Sequence, residues 1–199
     1  MKINVKKFIE FSYGDKRRDK AKVISIIDEM KEKYDPAKDR YKQFREAMAS
    51  FEDKKINREE FLNLHKNVSN NKSIGYQLLA KNYLDLKEDY GLVWEGRVPI
   101  EVDISGLVIT TAWYLRTEEN NQRRIIYLHF GKDSFPREKE RGILTVLRLA
   151  SIDAVGVGIL NIQPGTLTMS TRLDEKEAAF LRQRAARFVE ISKKIDLSK

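Results

Sequence analysis

The chain has no cysteine, only two histidines, His65 and His129, and only four prolines in 199 residues. Without thiols there can be no disulfide, no thiolate metal site and no cysteine nucleophile, and a reducing cytoplasm is the expected location. One histidine falls in a helical stretch and the other in a strand-like one, a spacing that does not suggest a zinc site. Long apolar runs are missing too: none approaches the roughly 20 residues of a bilayer-spanning helix. The segment 1–7 has neither the apolar stretch nor the cleavage site of a secretory signal, so no membrane partner is expected. Gly-x-Ser-x-Gly elbows and Walker-type or dinucleotide-binding glycine loops are also absent. Gly156-x-Gly158 lies inside an apolar run rather than between a strand and a helix, so it does not cradle phosphate. Its small residues would instead let a helix pack close to a sheet.

What remains is a chain that is 41% hydrophobic and 34% charged, the composition of a globular protein with a heavily solvated surface. Runs rich in Val, Ile, Thr, Trp and Tyr at 98–104, 107–116 and 123–130 predict a three-strand meander, with Trp113 and Tyr114 as core or cross-strand residues. A helix over 135–151 follows, capped by Ser134, and then the run 155–160, which lacks alternation as a strand covered on both faces does. A helix between two strands implies a right-handed crossover, which makes the third and fourth strands parallel neighbours and the fourth a central strand. Gln163-Pro164-Gly165-Thr166 fits a type II turn that returns 166–169 as a hairpin. The fold class is therefore α/β, a mixed sheet of about five strands with helices on its faces.

Residues 1–91 read as a helical N-terminal part packed on an α/β core at 92–199, together one domain over 1–199. Asn4 can cap a first helix, and Asp15 or Asp19 starts a second that runs to Tyr34. Asp35-Pro36 restarts a helix, Asn57 and Glu60 have capping-box spacing, and Gly91 ends a helix over 74–90. Asp174 and Glu177 repeat the capping-box pattern before a last helix. That helix turns Phe180, Leu181, Ala185 and Phe188 inward and Arg182, Arg184, Arg187, Lys193 and Lys194 toward solvent.

The net charge is +8, and its placement says more than its size. The first 22 residues hold eight cations against three anions. Such a cluster binds phosphates by releasing counterions, which makes nucleic acid the first partner to consider, with an acidic protein next. Lys16, Arg17 and Arg18 would oppose the dipole of the helix they begin, a local cost that a bound anion relieves. With Lys20 on the same segment, and Arg182 and Arg187 on the last helix, they are the candidate nucleic-acid contacts; a solvated helix face gives the same pattern. Glu101 and Asp103 share one face of a strand and could hold Mg2+ through water, although an ordinary solvent face looks the same.

The order helix, three-strand meander, helix, strand over 74–162 resembles the core of the PD-(D/E)xK nuclease-like superfamily. That resemblance implies an Asp near the second core strand and an acid-x-Lys triplet on the third, which bind Mg2+ and activate water against a phosphodiester. Where the triplet belongs this chain has Tyr127-Leu128-His129 or Leu128-His129-Phe130, with Asp103 on an earlier strand and Lys132 just past the third. The resemblance then implies a member without the catalytic set, a noncatalytic scaffold for nucleic acid or protein that needs no cofactor. An assembly module for an acidic partner and a divergent Mg2+-dependent nuclease using Glu101 or Asp103 are the alternatives.

Overall fold

The computed structural model describes residues 1–32, 39–68, 70–94, 99–111, 114–119 and 122–196. In chain order they form β1 (Lys2–Asn4), α1 (Val5–Ser12), α2 (Asp19–Lys31), α3 (Lys42–Glu52), α4 (Arg58–Leu62), α5 (Asn70–Asp89) and β2 (Leu92–Trp94). Then follow β3 (Ile100–Ile104), β4 (Leu107–Thr111), β5 (Tyr114–Glu119), β6 (Gln122–His129), α6 (Arg137–Ala150), β7 (Gly156–Asn161), β8 (Thr166–Ser170) and α7 (Glu175–Asp196). The chain is an α/β protein with a helical N-terminal half and a mixed five-stranded sheet in the order β2-β5-β6-β7-β8. A second sheet, β1-β4-β3, holds three strands.

The crossover forms as its pattern predicts: β6 and β7 run parallel, Ile126 opposite Gly158 and His129 opposite Asn161, with α6 between them in the chain. All six residues of β7 are buried. Its Val157 and Ile159 join Ile125 of β6 in one apolar cluster, with Phe8 of α1, Ile143 and Leu147 of α6, and Phe188 of α7. Its Leu160 joins Ile126 and Leu128 in a second cluster, with Phe44, Met48, Phe61 and Tyr83 from α3, α4 and α5. Neighbours along each strand thus enter opposite cores, which is why the sequence shows no alternation. Each large side chain buried this way contributes about 1.5–3 kcal/mol.

The meander divides between the two sheets. The run read as one strand over 107–116 breaks into β4, which pairs with β1 and β3, and β5, which pairs with β2 and β6. The meander of the five-stranded sheet is therefore β2-β5-β6, and β3–β4 is a hairpin inserted within it. That hairpin turns at Ser105 (φ 55°) and Gly106 (φ 82°), both left-handed as a two-residue primed turn requires. A β-rich run pairs equally well in either sheet, so propensity could not separate them. The middle strand is β6, and β7 is second from the edge. The segment before α1, with no strand expected in it, contributes β1, parallel to β4.

Most local signals operate as written. Asn4 Oδ1 accepts from Lys7 N–H at 2.9 Å, and Asn57 and Glu60 complete their capping box at 2.9 and 2.7 Å. Gly165 (φ +68°) takes the left-handed position of the β7–β8 turn. Ser134 does not cap α6, which opens at Arg137 with Pro136 in the cap position and no side-chain bond to it. Its proline fixes a φ suited to helix entry, so the start slides past Ser134. The restart at Asp35-Pro36 and the placement of Trp113 lie outside the described residues, as does the Tyr114 side chain.

Gly158 makes room for strands rather than for a helix. A Cβ there would lie 2.5 Å from Met169 Sδ and 2.9 Å from Ile126 Cδ1, on the flanking strands β8 and β6. Gly158→Val is expected to destabilise the protein by about 1–3 kcal/mol through overpacking, with part of the loss recovered in the Gly158→Val/Met169→Ala double variant. Urea unfolding curves of the three proteins measure both effects.

Candidate nucleic-acid interface

The basic N-terminal residues are placed by two small chain reversals. Residue 14 ends α1 as glycine; a Cβ there would lie 3.0 Å from the Glu10 carbonyl oxygen. Asp15 then caps a 3-10 turn, Lys16–Arg18, accepting from Arg17 N–H at 3.0 Å, and α2 begins at Asp19. Lys16, Arg17 and Arg18 therefore precede α2 instead of forming its first turn, whose acidic residue is Asp19, and Arg18 stands at its N-cap, at the positive end of the dipole. Arg17 also pairs with the Asp15 carboxylate at 3.0 Å while its side chain stays 90% exposed, and this pairing holds the Asp15 carboxyl below the usual range. Lys16, Arg18 and Lys20 are exposed.

Arg184 sits inside the protein. Its guanidinium donates two bonds to Asp19, at 2.8 and 2.6 Å, and a third to the Phe11 carbonyl at 3.0 Å, and it lies 4.3 Å over the Phe11 ring. The two charged side chains are only 5% and 9% exposed. A planar fork facing a carboxylate is the geometry that lets such a pair survive burial. Its expected solvent position is therefore corrected, and the signal for it was present. Residue 184 falls four after Phe180 and four before Phe188, on the inward stripe of α7.

This pair brings the two ends of the chain together. Lys16, Asp19, Gln183, Arg184 and Arg187 line one cleft of about 330 Å3 between the 3-10 turn and α7. Arg187 and Lys194 both bind Glu190, at 2.8 and 2.6 Å, and together hold its carboxyl down at about 2. Of the candidate contacts, Lys16 and Arg187 line the cleft, and Arg17, Arg18 and Lys20 adjoin it in the chain. Arg182 does not belong with them: two residues from Arg184 on a helix, it is turned roughly 200° away around the axis.

A second hollow, of about 350 Å3, lies where Tyr13, Arg141 of α6 and the first turns of α7 meet. Glu177, 4% exposed, accepts from the Tyr13 hydroxyl and from Arg141 Nε at 2.6 Å. Burial, then the bond to Glu177, pushes the Tyr13 phenol well above its ordinary range. The backbone half of the expected capping box exists, Glu177 N–H donating to Asp174 Oδ1 at 3.0 Å, but the Glu177 side chain has gone to Tyr13 and Arg141. Sequence reading missed this trio because its members lie on α7, on α6 and just after α1, with no local spacing to link them.

The proposed metal pair is otherwise occupied. Glu101 is ion-paired with Lys2, and Asp103 accepts from Gly106 N–H at 2.8 Å within the β3–β4 turn. Among the described residues no three His, Cys, Asp or Glu side chains are placed to hold a metal. His129 Nε2 lies 3.1 Å from the Asp133 carbonyl, with its ring 4.1 Å from that of Phe135. His65 Nδ1 lies 2.9 Å from the Leu62 carbonyl. Tyr127, two residues before His129 on β6, is a phenol that burial pushes up to about 12.

No protein-family profile and no curated protein matches the sequence. Among solved structures, that of SSO0001 is similar to this chain with a TM-score of 0.38 and 13% identity, over 86% of this chain and 84% of that one. A likeness this loose carries no argument. Among the described residues no helix is long and apolar enough to cross a membrane.

Two measurements follow from this geometry. Arg184→Ala leaves Asp19 buried and unpaired and is expected to cost about 3–5 kcal/mol, whereas Arg184→Met with Asp19→Leu should recover most of it; urea unfolding reads both. Burial, chiefly, lowers the His129 pKa below 6.5. The unfolded chain then binds the proton more readily, so His129 leaves stability whole above about pH 6.5 and erodes it as the pH falls below. His129→Gln should flatten the stability profile between about pH 7 and 5.5; an unchanged slope would assign that loss to other groups.

Proposed function

We propose that this chain is a noncatalytic nucleic-acid-binding protein whose contact surface is the cleft between the 3-10 turn and α7. The observation that carries the reading is the convergence of Lys16 and Arg187, from opposite ends of the chain, beside the buried Arg184–Asp19 pair. Exposed cations at the rim can neutralise phosphates by releasing counterions. The cations that adjoin them in the chain, Arg17, Arg18 and Lys20, add to the positive field.

Support for binding without cleavage comes from the sheet. With the β3–β4 hairpin set inside it, the order α5, β2-β5-β6, α6, β7 is the helix, meander, helix, strand order on which the PD-(D/E)xK reading rests. At the end of β6, where that resemblance asks for an acid and a lysine, stand the half-buried phenol of Tyr127, a buried Leu128 and a histidine turned to the Asp133 carbonyl. None of these can hold Mg2+ as a carboxylate does or activate water beside it.

The test is the salt dependence of binding to mixed DNA and RNA. Each phosphate contact contributes about 0.7–0.9 to the slope of log affinity against log salt. Lys16→Gln/Arg187→Gln should reduce that slope by about 1.4–1.8, Arg17→Gln/Arg18→Gln/Lys20→Gln should reduce it further, and Arg182→Gln should leave it as it was. The nucleic acid should stay intact with Mg2+ or Mn2+. A slope indifferent to the first two sets overturns the assignment, and salt-sensitive capture of an acidic polypeptide alone would give the cleft to a protein partner.

A further inference from the structure

Resting on that reading, we propose that the strand held here is single, with one unpaired base stacked against Tyr13 and Phe180 and its neighbouring phosphates in the Lys16–Arg187 cleft. The two hollows lie along one stripe of α7: Lys176 and Phe180 border the first, Gln183 and Arg187 the second, at successive steps of four, three and four residues. From Phe180 to Arg187 is about 10.5 Å of helix rise. The segment 13–19 walls both, giving Tyr13 to the first and Lys16 to the second. A chain lying along α7 would pass from one to the other.

Their chemistry differs in the way a nucleotide's parts differ. In the first hollow Arg141 and Lys176 are matched by Asp174 and Glu177, so the charges cancel around two aromatic rings. In the second, Lys16 and Arg187 stand beside the mutually paired Arg184 and Asp19, and Arg187 also binds Glu190 outside the cleft lining. A neutral heterocycle fits the former and a phosphate the latter. An acidic peptide would match the cationic cleft alone and leave the aromatic hollow without a partner.

The aromatic platform is set before any ligand arrives. The Tyr13 and Phe180 rings lie 5.4 Å apart at 49°, and both are partly exposed. Tyr13 is held at its hydroxyl by the buried Glu177 and along its edge by Gly142, where a Cβ would come within 2.7 Å of Tyr13 Cε2. A ring fixed in this way loses little freedom on stacking, and base–aromatic stacking tolerates any base because every base has a π-face. Bases in a duplex are already stacked on each other and cannot take up that position.

Fluorescence anisotropy with the full chain, using an unstructured single-stranded oligonucleotide and a duplex of equal length, tests the proposal. Wild-type protein should prefer the single strand, and 2-aminopurine within it should be quenched on binding. Phe180→Leu should weaken single-strand binding by about 5- to 150-fold, abolish the quenching and leave both duplex binding and the salt slope unaltered. Quenching by wild-type protein is read without any variant, so it stands if Phe180→Leu does not fold. Salt-dependent binding without quenching or strand preference overturns the single-strand inference and leaves the cleft reading intact. If neither probe binds in a salt-dependent way, both fall.

Discussion

Covering the parallel β6–β7 pair on both faces is the constraint on which the rest of the structure depends. A parallel pair joined by a crossover helix has no solvated side, so two separate layers of helix must be supplied. The chain supplies one from α3, α4 and α5 and the other from α1, α6 and α7, with Ile126, Leu128 and Leu160 facing the first and Ile125, Val157 and Ile159 the second. That demand brings the first helix of the chain against its last. Phe11 of α1 meets Phe188 of α7 edge-on with centroids 5.1 Å apart.

Within that contact the Arg184–Asp19 pair does more for shape than for net stability. Two buried charges that satisfy each other roughly offset their own desolvation, while the geometry they need is narrow. The fork of Arg184 reaches both Asp19, at the first turn of α2, and the carbonyl of Phe11 near the end of α1. The 3-10 turn between those two helices is thereby pinned at both sides to α7. Its cations come to stand beside Arg187 as a consequence of a buried bond, not of any attraction among themselves.

A similar division of labour holds at Tyr13. Its hydroxyl and Arg141 supply hydrogen bonds to the buried carboxylate of Glu177. The ring that carries the hydroxyl is left as a fixed surface at the edge of the same helix. The exposed cations of the 3-10 turn and of α7 are thus positioned by two interior polar bonds. The sheet beneath supplies the frame.

By itself the sequence determined what can be written within a few residues. The Asn4 cap and the Asn57–Glu60 box are contacts across three positions, the turn at 163–166 is a matter of proline and glycine torsions, and the unbroken apolar run of β7 signals two-sided burial. The crossover followed from helix and strand order alone. Tertiary structure decided which of two sheets each half of 107–116 would join, because β-forming residues do not encode their partners. It also decided that Arg184 is interior while Arg187 is not, through an aspartate 165 positions earlier in the chain. A charged side chain reads the same in a sequence whether water or a carboxylate completes its shell, and only the packed helices choose between them.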